Sequence, residues 1–384
     1  MAITLRRSLN HLKVISVCLT LIACADTKQP NFTNPMSVVG SGQPSTPQGQ
    51  IPTSITGSIV DGPVDNRTIT VRNASGQTKK ILTEDGQGGF RLASVFSQAD
   101  YPLIFTAEDE AQLLVMGDPG FTLMSTSPRS AIVQQVSINA YSTLITKVAL
   151  KLPGGITVDN LDTARDHVVS QLNFGLYGAF KDNPTKTLTT ENNIHVITKA
   201  SEALSEMIRR TSKQLNINGH HMTTDAVVDA IAADLVNGKL DGIGPVGTDP
   251  NVSAIAHLMS GQVALEAITN ELQVRSTNVA PSLDYVITST YPESSYRTKN
   301  VHLTEELISQ AKMAVQIANS VLPSDELTDI MAGLEQLTPF MRPDRARKIL
   351  PGNMSHSFEI VSRQVAKSGN EGARKVNVMA VANG

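Results

Sequence analysis

Tryptophan is absent from this 384-residue chain, and aromatic residues make up only 4% of it. Flat faces on which sugar rings and bases stack are therefore scarce, which disfavours a dedicated polysaccharide groove. Lys and Arg are scattered and form no dense stripe, so nucleic acid is not an expected partner. There is no nucleophile elbow of the G-x-S-x-G kind, no Walker loop, no strand-to-glycine-loop entry to a dinucleotide site and no H-E-x-x-H zinc helix. Carboxylates are plentiful but dispersed, and no glycosidase pair stands out. Beyond residue 24 no apolar run approaches the length of a membrane span.

What is present begins with Arg6, Arg7 and Lys13, followed by a short apolar run over residues 14–23. A positive region followed by an apolar run too short to span a bilayer is the layout of a secretory signal. The run ends in Leu21-Ile22-Ala23-Cys24, which resembles the lipobox of bacterial lipoproteins. That resemblance implies cleavage after Ala23 and lipid on Cys24. One acyl chain holds a protein only marginally, whereas two or three on one cysteine make a firm anchor. The residue after the cysteine is Ala25 rather than Asp, which by the same resemblance favours the outer membrane over the inner. Cys18 would leave with the signal and Cys24 would carry lipid. No cysteine then remains for a disulfide, a thiolate metal site or a redox pair. Loss of three positive charges takes the formal charge from −3 to −6.

Residues 24–53 are rich in Pro, Ser, Thr, Gln, Asn and Gly and read as a disordered tether. Residues 54–139 change to short β-prone runs separated by turn chemistry: 54–60, 67–72, 79–83, 90–93, 101–107, 111–116, 121–125 and 131–138. The runs 79–83 and 90–93, joined through Asp85-Gly86-Gln87-Gly88-Gly89, read as a hairpin-like pair. Gly57, Val60-Asp61-Gly62-Pro63-Val64, Ile69, Val71, Thr83-Glu84-Asp85 and Gly89-Phe90 together resemble the carboxypeptidase-regulatory-like, or transthyretin-like, β-sandwich. The resemblance covers about a sixth of the chain, and Arg67-Thr68 stand where a small Ala is common. It implies a spacer or binding module, and it transfers no catalytic residue.

From residue 139 the apolar period becomes helical. The run VSINAYSTLITKVA is similar to the entry into the helical region that follows such β-modules in gammaproteobacterial surface lipoproteins. Caps are expected at Thr157 or Asp159, Thr223, Asp249 before Pro250, Thr304 and Ser324. Ile197, Ala200, Leu204, Met207, Ile208 and Leu215 form one stripe, and Val252, Ile255, Ala256, Met259, Val263, Ala267 and Leu272 another. The expectation is an α-helical bundle domain over residues 140–340. In the tail, residues 341–384, the runs 356–361 and 375–381 alternate and predict a weak β-hairpin around Ser368–Gly372. The fold class expected is therefore α+β and multidomain: a small antiparallel β-sandwich followed by a helical bundle.

Spacing argues against the candidate metal and nucleophile clusters. His220-His221 with Asp225 lack the geometry of a zinc site. Asp234, Asn237, Asp241 and Asp249 lack the calcium-loop pattern. Ser309 and Lys312 match S-x-x-K, but no K-T-G follows them. No metal, cofactor or catalytic residue is expected. Residues 276–300 form the longest irregular stretch of the helical region and hold Tyr285, Tyr291 and Tyr296, which are candidate ligand-contacting residues. The reading is a lipid-anchored envelope protein with a non-catalytic binding, adhesion or scaffolding role toward a protein or surface partner. The alternatives are an envelope enzyme with a site in the helical region, or an accessory subunit of an envelope assembly machine.

Overall fold

The computed structural model describes residues 50–60, 67–84, 88–107, 120–129, 131–190, 192–274, 277–278, 302–352 and 354–383. Among them the chain is mixed α and β, with ten α-helices, sheets of three and four strands and a two-stranded ribbon. The first sheet has the order β4 (Gly89–Ser97), β1 (Gln50–Ile59), β7 (Val133–Ile138). The second has the order β3 (Thr78–Leu82), β2 (Thr68–Arg72), β5 (Leu103–Ala107), β6 (Leu123–Ser127). Phe90 of β4 and Phe105 of β5 bring the two sheets together, with ring centroids 6.1 Å apart.

Three expectations about the strands need correction. The sheets are not wholly antiparallel, because β7 runs parallel to β1. A parallel pair needs a long crossover, and the chain supplies one by passing through all of β2–β6 between them. The hairpin of residues 79–83 with 90–93 does not form. β3 pairs with β2 and β4 with β1, leaving a single bridge between Glu84 and Gly89. The chain thus passes from one sheet to the other between β3 and β4. Finally, β1 starts at Gln50, inside the stretch read as tether. Pro52 is tolerated because residues 50–53 have β4 on one side only, and β7 joins at Ser54.

Gly57 has a different role from a turn residue. It lies mid-strand opposite Phe90, and a Cβ there would fall 2.0 Å from the Phe90 ring. Its missing side chain is the space into which Phe90 folds.

The sheets join the helices through α1 (Ala140–Lys151). Asn139 caps α1 in a reciprocal box with Ser142, and its amide also donates to the Pro184 carbonyl at 3.0 Å. Ser142 donates to the Met124 carbonyl at 2.7 Å, and the Met124 N–H donates to Thr143 at 2.9 Å, so β6 is fastened to the first turn of the helix. There follow α2 (Val158–Gln171), the short α3 (Ala179–Asp182), α4 (Ile194–Ile217), α5 (Thr224–Asp234) and α6 (Pro250–Ile268). The last four are α7 (Glu305–Val321), α8 (Asp325–Glu335), α9 (Pro343–Ile349) and α10 (Met354–Asn383). Thr157, Thr223, Asp249, Thr304 and Ser324 each accept a first-turn N–H, as their positions predict.

α6 is buried on every side: 16 of its 19 residues are covered, well beyond the one stripe expected. α4, α5, α7 and α10 surround it. At Gly261 the approach is closest, since a Cβ would lie 2.2 Å from Ala314 on α7. Between α4 and α6, Arg210 grips Glu266 through two bonds of 2.8 Å and also donates to Glu206 at 2.9 Å.

The tail is helical, which overturns the expected β-hairpin. Phe358, Val361, Val365, Ala373, Val376 and Ala380 are buried at helical spacing, while Ile360 and Val378 of the apparent alternation are exposed. The expected turn survives as a break in α10 at Gly369, where φ is 57°.

A polar cleft and an apolar recess flank the turn after α2

Leu172 caps the end of α2, and residues 173–178 turn back sharply. Phe174, Gly175 and Gly178 have φ of 46°, 88° and 60°. A bulky residue in the left-handed region costs about 1–2 kcal/mol and persists only where its surroundings hold it. Here α1 and α7 do so. The Tyr141 hydroxyl donates to the Asn173 carbonyl at 2.7 Å, and the Phe174 N–H donates to Gln310 Oε1 at 3.1 Å. Asn173 Oδ1 accepts the Gly175 N–H at 2.9 Å.

On one side of this turn lies a cleft of about 810 Å³ between α2, α3 and the start of α7. Such a volume is typical of small-ligand sites. Asn173 and Gln310 are among the residues lining it, only 5% and 7% exposed. Each amide oxygen takes a backbone N–H, and an NH₂ group could not, so the amides cannot be flipped. Asn173 Nδ2 and Gln310 Nε2 are consequently fixed as donors; both are sealed from solvent, and among the described residues neither has an acceptor. Leaving a buried donor unmade costs about 1–3 kcal/mol.

The rim is charged and net acidic. Arg165 is held by Asp162 and Asp166 at 3.0 Å each, and Lys181 by Glu306 at 2.8 Å. The hydrogen bond from Lys181, helped by backbone N–H donation at the α7 terminus, holds the Glu306 carboxyl below the usual carboxylate range. Asp182 and Glu305 also line the cleft and form no ion pair among the described residues.

On the other side of the turn is a narrow recess lined by Phe174, Leu272, Leu303 and Leu307, with Tyr177, His195, Lys199 and His302 among its polar groups. The Tyr177 hydroxyl stands 3.2 Å from His195 Nε2, and burial pushes its pKa up, so it stays protonated at neutral pH. Lys199 donates to Asn270 Oδ1 at 3.0 Å.

Neither recess contains the groups singled out in the sequence, except Ser309 at the cleft's edge. Cys24, Ala23, Tyr285, Tyr291 and Tyr296 lie outside the described residues. His220 is half-buried and His221 exposed with φ of 48°, while Asp225 accepts the Thr122 N–H at 3.1 Å. Among the described residues no three His, Cys, Asp or Glu side chains group as metal ligands would. Lys312 is half-buried on α7, next to the exposed Ser309.

The Asp234–Asp249 segment closes on itself. Buried Asp234 accepts the Gly242 N–H at 2.9 Å and the Ser253 hydroxyl, and Asp241 accepts the Ile243 N–H at 2.8 Å. Asn237 accepts from Lys239 and donates to the Ile243 carbonyl, and Asp249 caps α6. Gly242, Gly244 and Gly247 have the spacing of a phosphate-binding loop, but the loop follows a helix rather than a strand and its first amides are already taken by carboxylates. Desolvation pushes Asp234 up to about 6. Burial also holds the His257 imidazole, which bonds the Leu240 carbonyl, below its ordinary range.

Asn173, Gln310, Asp182 and Glu305 were not legible as a site. The one local signal is the Asn173-Phe174-Gly175 turn at the end of a helical stripe. Comparison with protein-family models, with curated proteins and with solved structures gives no match.

Proposed function

We propose that the chain is a lipid-anchored cell-envelope protein that binds a small ligand or a segment of a partner in the cleft beside α7, without catalysing a reaction. The observation that carries this is the cleft of about 810 Å³ between α2, α3 and α7 with its charged, net acidic rim. A site of shape and charge suits recognition rather than bond breaking. Burial-raised Asp234 lines neither the cleft nor the recess, so it offers no acid or base there.

The anchor rests on the Ala23-Cys24 lipobox, and Ala25 favours the outer membrane. The packing of Phe90 into the gap left by Gly57, with two facing sheets, supports reading residues 54–139 as a transthyretin-like β-sandwich that spaces the helical domain from the lipid. An envelope enzyme is the second reading. It draws on the Tyr177–His195 pair, a proton donor beside an imidazole in an apolar recess.

The test is labelling of cells with a palmitate analogue, with membrane fractionation and protease shaving of wild type and Cys24→Ser. Label and outer-membrane recovery that both depend on Cys24 are expected. Equal fractionation of the two forms would remove the anchor. Trimming of wild type on intact cells would assign a surface partner, and protection until the outer membrane is opened a periplasmic one.

A further inference from the structure

The connections of the two sheets divide by charge. β1 enters at Gln50, and the strand registers put the ends of β2, β4 and β6 and the starts of β3, β5 and β7 at that same end. The connections there are residues 73–77, 98–102 and 128–132, whose charges are Asp100 and Arg129 alone. Those at the opposite end, residues 60–67, 83–88 and 108–122, hold two, two and four acids against one base, Arg67. The strands of both sheets contain no acid, and Arg72 and Lys79 stand exposed toward the Gln50 end. Asp100 is taken up by Ser97 and Asn73, so that end is net basic.

The same end exposes apolar side chains. Ile132, Val133 and Val95 are 70%, 68% and 48% exposed. Val95 pairs with Pro52 and Val133 with Ser54, two positions apart on β1, so both side chains stand on the outward face of the three-stranded sheet. Their backbone is held. The Ile132 carbonyl accepts the Ser54 N–H at 2.9 Å, and the inward Gln134 donates to the Ala131 carbonyl at 3.1 Å and the Tyr101 hydroxyl at 2.8 Å. Apolar and basic groups together, with acids kept to the far end, complement an anionic phospholipid surface. The entry of the chain argues for lipid over a second protein, because residues 25–49 join this end to Cys24.

We infer that the Gln50 end of the sheets rests on the phospholipid surface that carries the anchor, with Ile132, Val133 and Val95 at the acyl boundary and Arg72, Lys79 and Arg129 on headgroup phosphates. This rests on lipid at Cys24. An anchor keeps the local concentration high, so a contact too weak to hold a free protein is enough to orient a tethered one. β7 delivers the chain to α1 at the opposite end, which holds the helices off the bilayer.

The chain has no tryptophan, so a single one serves as a reporter. The experiment places the lipidated protein, carrying either Ile132→Trp or Val246→Trp on the exposed α5–α6 connection, in phosphatidylethanolamine–phosphatidylglycerol vesicles with brominated acyl chains. Quenching of Ile132→Trp is expected to be at least twofold deeper than that of Val246→Trp. Adding Arg72→Gln with Arg129→Gln should cut it by half or more, and added salt should act the same way. Equal quenching of the two reporters, no quenching at either, or quenching unchanged by the arginine substitutions would overturn the inference and leave the anchor standing, provided the protein stays with the vesicles. Emission of Ile132→Trp that follows protein concentration and not brominated lipid would give the face to a second copy and overturn it too. A protein that does not stay with the vesicles would overturn both the anchor and the contact that rests on it.

Discussion

Replacing Asp234 by Asn should flatten the pH dependence of stability. The Asp234 carboxyl is buried, and desolvation raises its pKa from 3.8 to about 6 against the hydrogen bonds from Ser253 and Gly242, with Asp241 adding to the rise. Burial holds the His257 imidazole near the same loop below its ordinary range, a contribution that wild type and variant share. The folded protein therefore holds the Asp234 proton more tightly than the unfolded chain does. That stabilisation is complete below the unfolded value and is lost as pH rises through about 6. With these two values, linkage gives a loss of about 2 kcal/mol between roughly pH 4.5 and pH 7.5. Asn keeps an oxygen for the Gly242 N–H and the Ser253 hydroxyl but has no proton to lose. Urea unfolding of wild type and Asp234→Asn across that range should show a wild-type curve that falls relative to the variant by about that amount. Parallel curves, or a wild type that gains stability relative to the variant as pH rises, would refute the burial argument.

Gly57→Ala drives a Cβ into the Phe90 ring and should destabilise by about 1–3 kcal/mol in thermal unfolding, with partial recovery on Phe90→Leu. Gly261→Ala should cost a similar amount by the same assay, because α7 and α10 meet α6 at that position. Arg210→Met takes the two-pronged ion pair from buried Glu266 and leaves buried Glu206 to Arg209, and should cost about 3–5 kcal/mol in denaturant unfolding. Asn139→Ala removes the α1 cap and the bond to Pro184, and should lower stability by about 1–2 kcal/mol in the same measurement.

Local chemistry was the legible part of the sequence. A cap needs only a side chain and the N–H two or three residues on, so Thr157, Thr223, Asp249, Thr304 and Ser324 could be placed without knowing the fold. Short apolar runs were ambiguous. Residues 356–361 and 375–381 fit a period of two over six or seven residues, and only burial of Phe358, Val361, Val365, Ala373 and Val376 distinguishes the helix. Strand pairing was illegible for another reason. The Asp85–Gly89 turn suits a hairpin, yet the longer ladder of β4 with β1, fixed by Gly57 opposite Phe90, takes the partner that β3 would have had. The cleft is the extreme case. Gln310 sits in the sequence as one polar residue among Leu307, Ile308 and Ala311, and its bond to Phe174 spans 136 positions. No local pattern carries that contact.

The central claim is that the chain is held in the cell envelope by lipid on Cys24. Mass spectrometry of the protein extracted from membranes tests it most directly. The prediction is a chain that starts at Cys24 and carries diacylglycerol on its thiol. A chain that retains residues 1–23, or one whose Cys24 is unmodified, would contradict it.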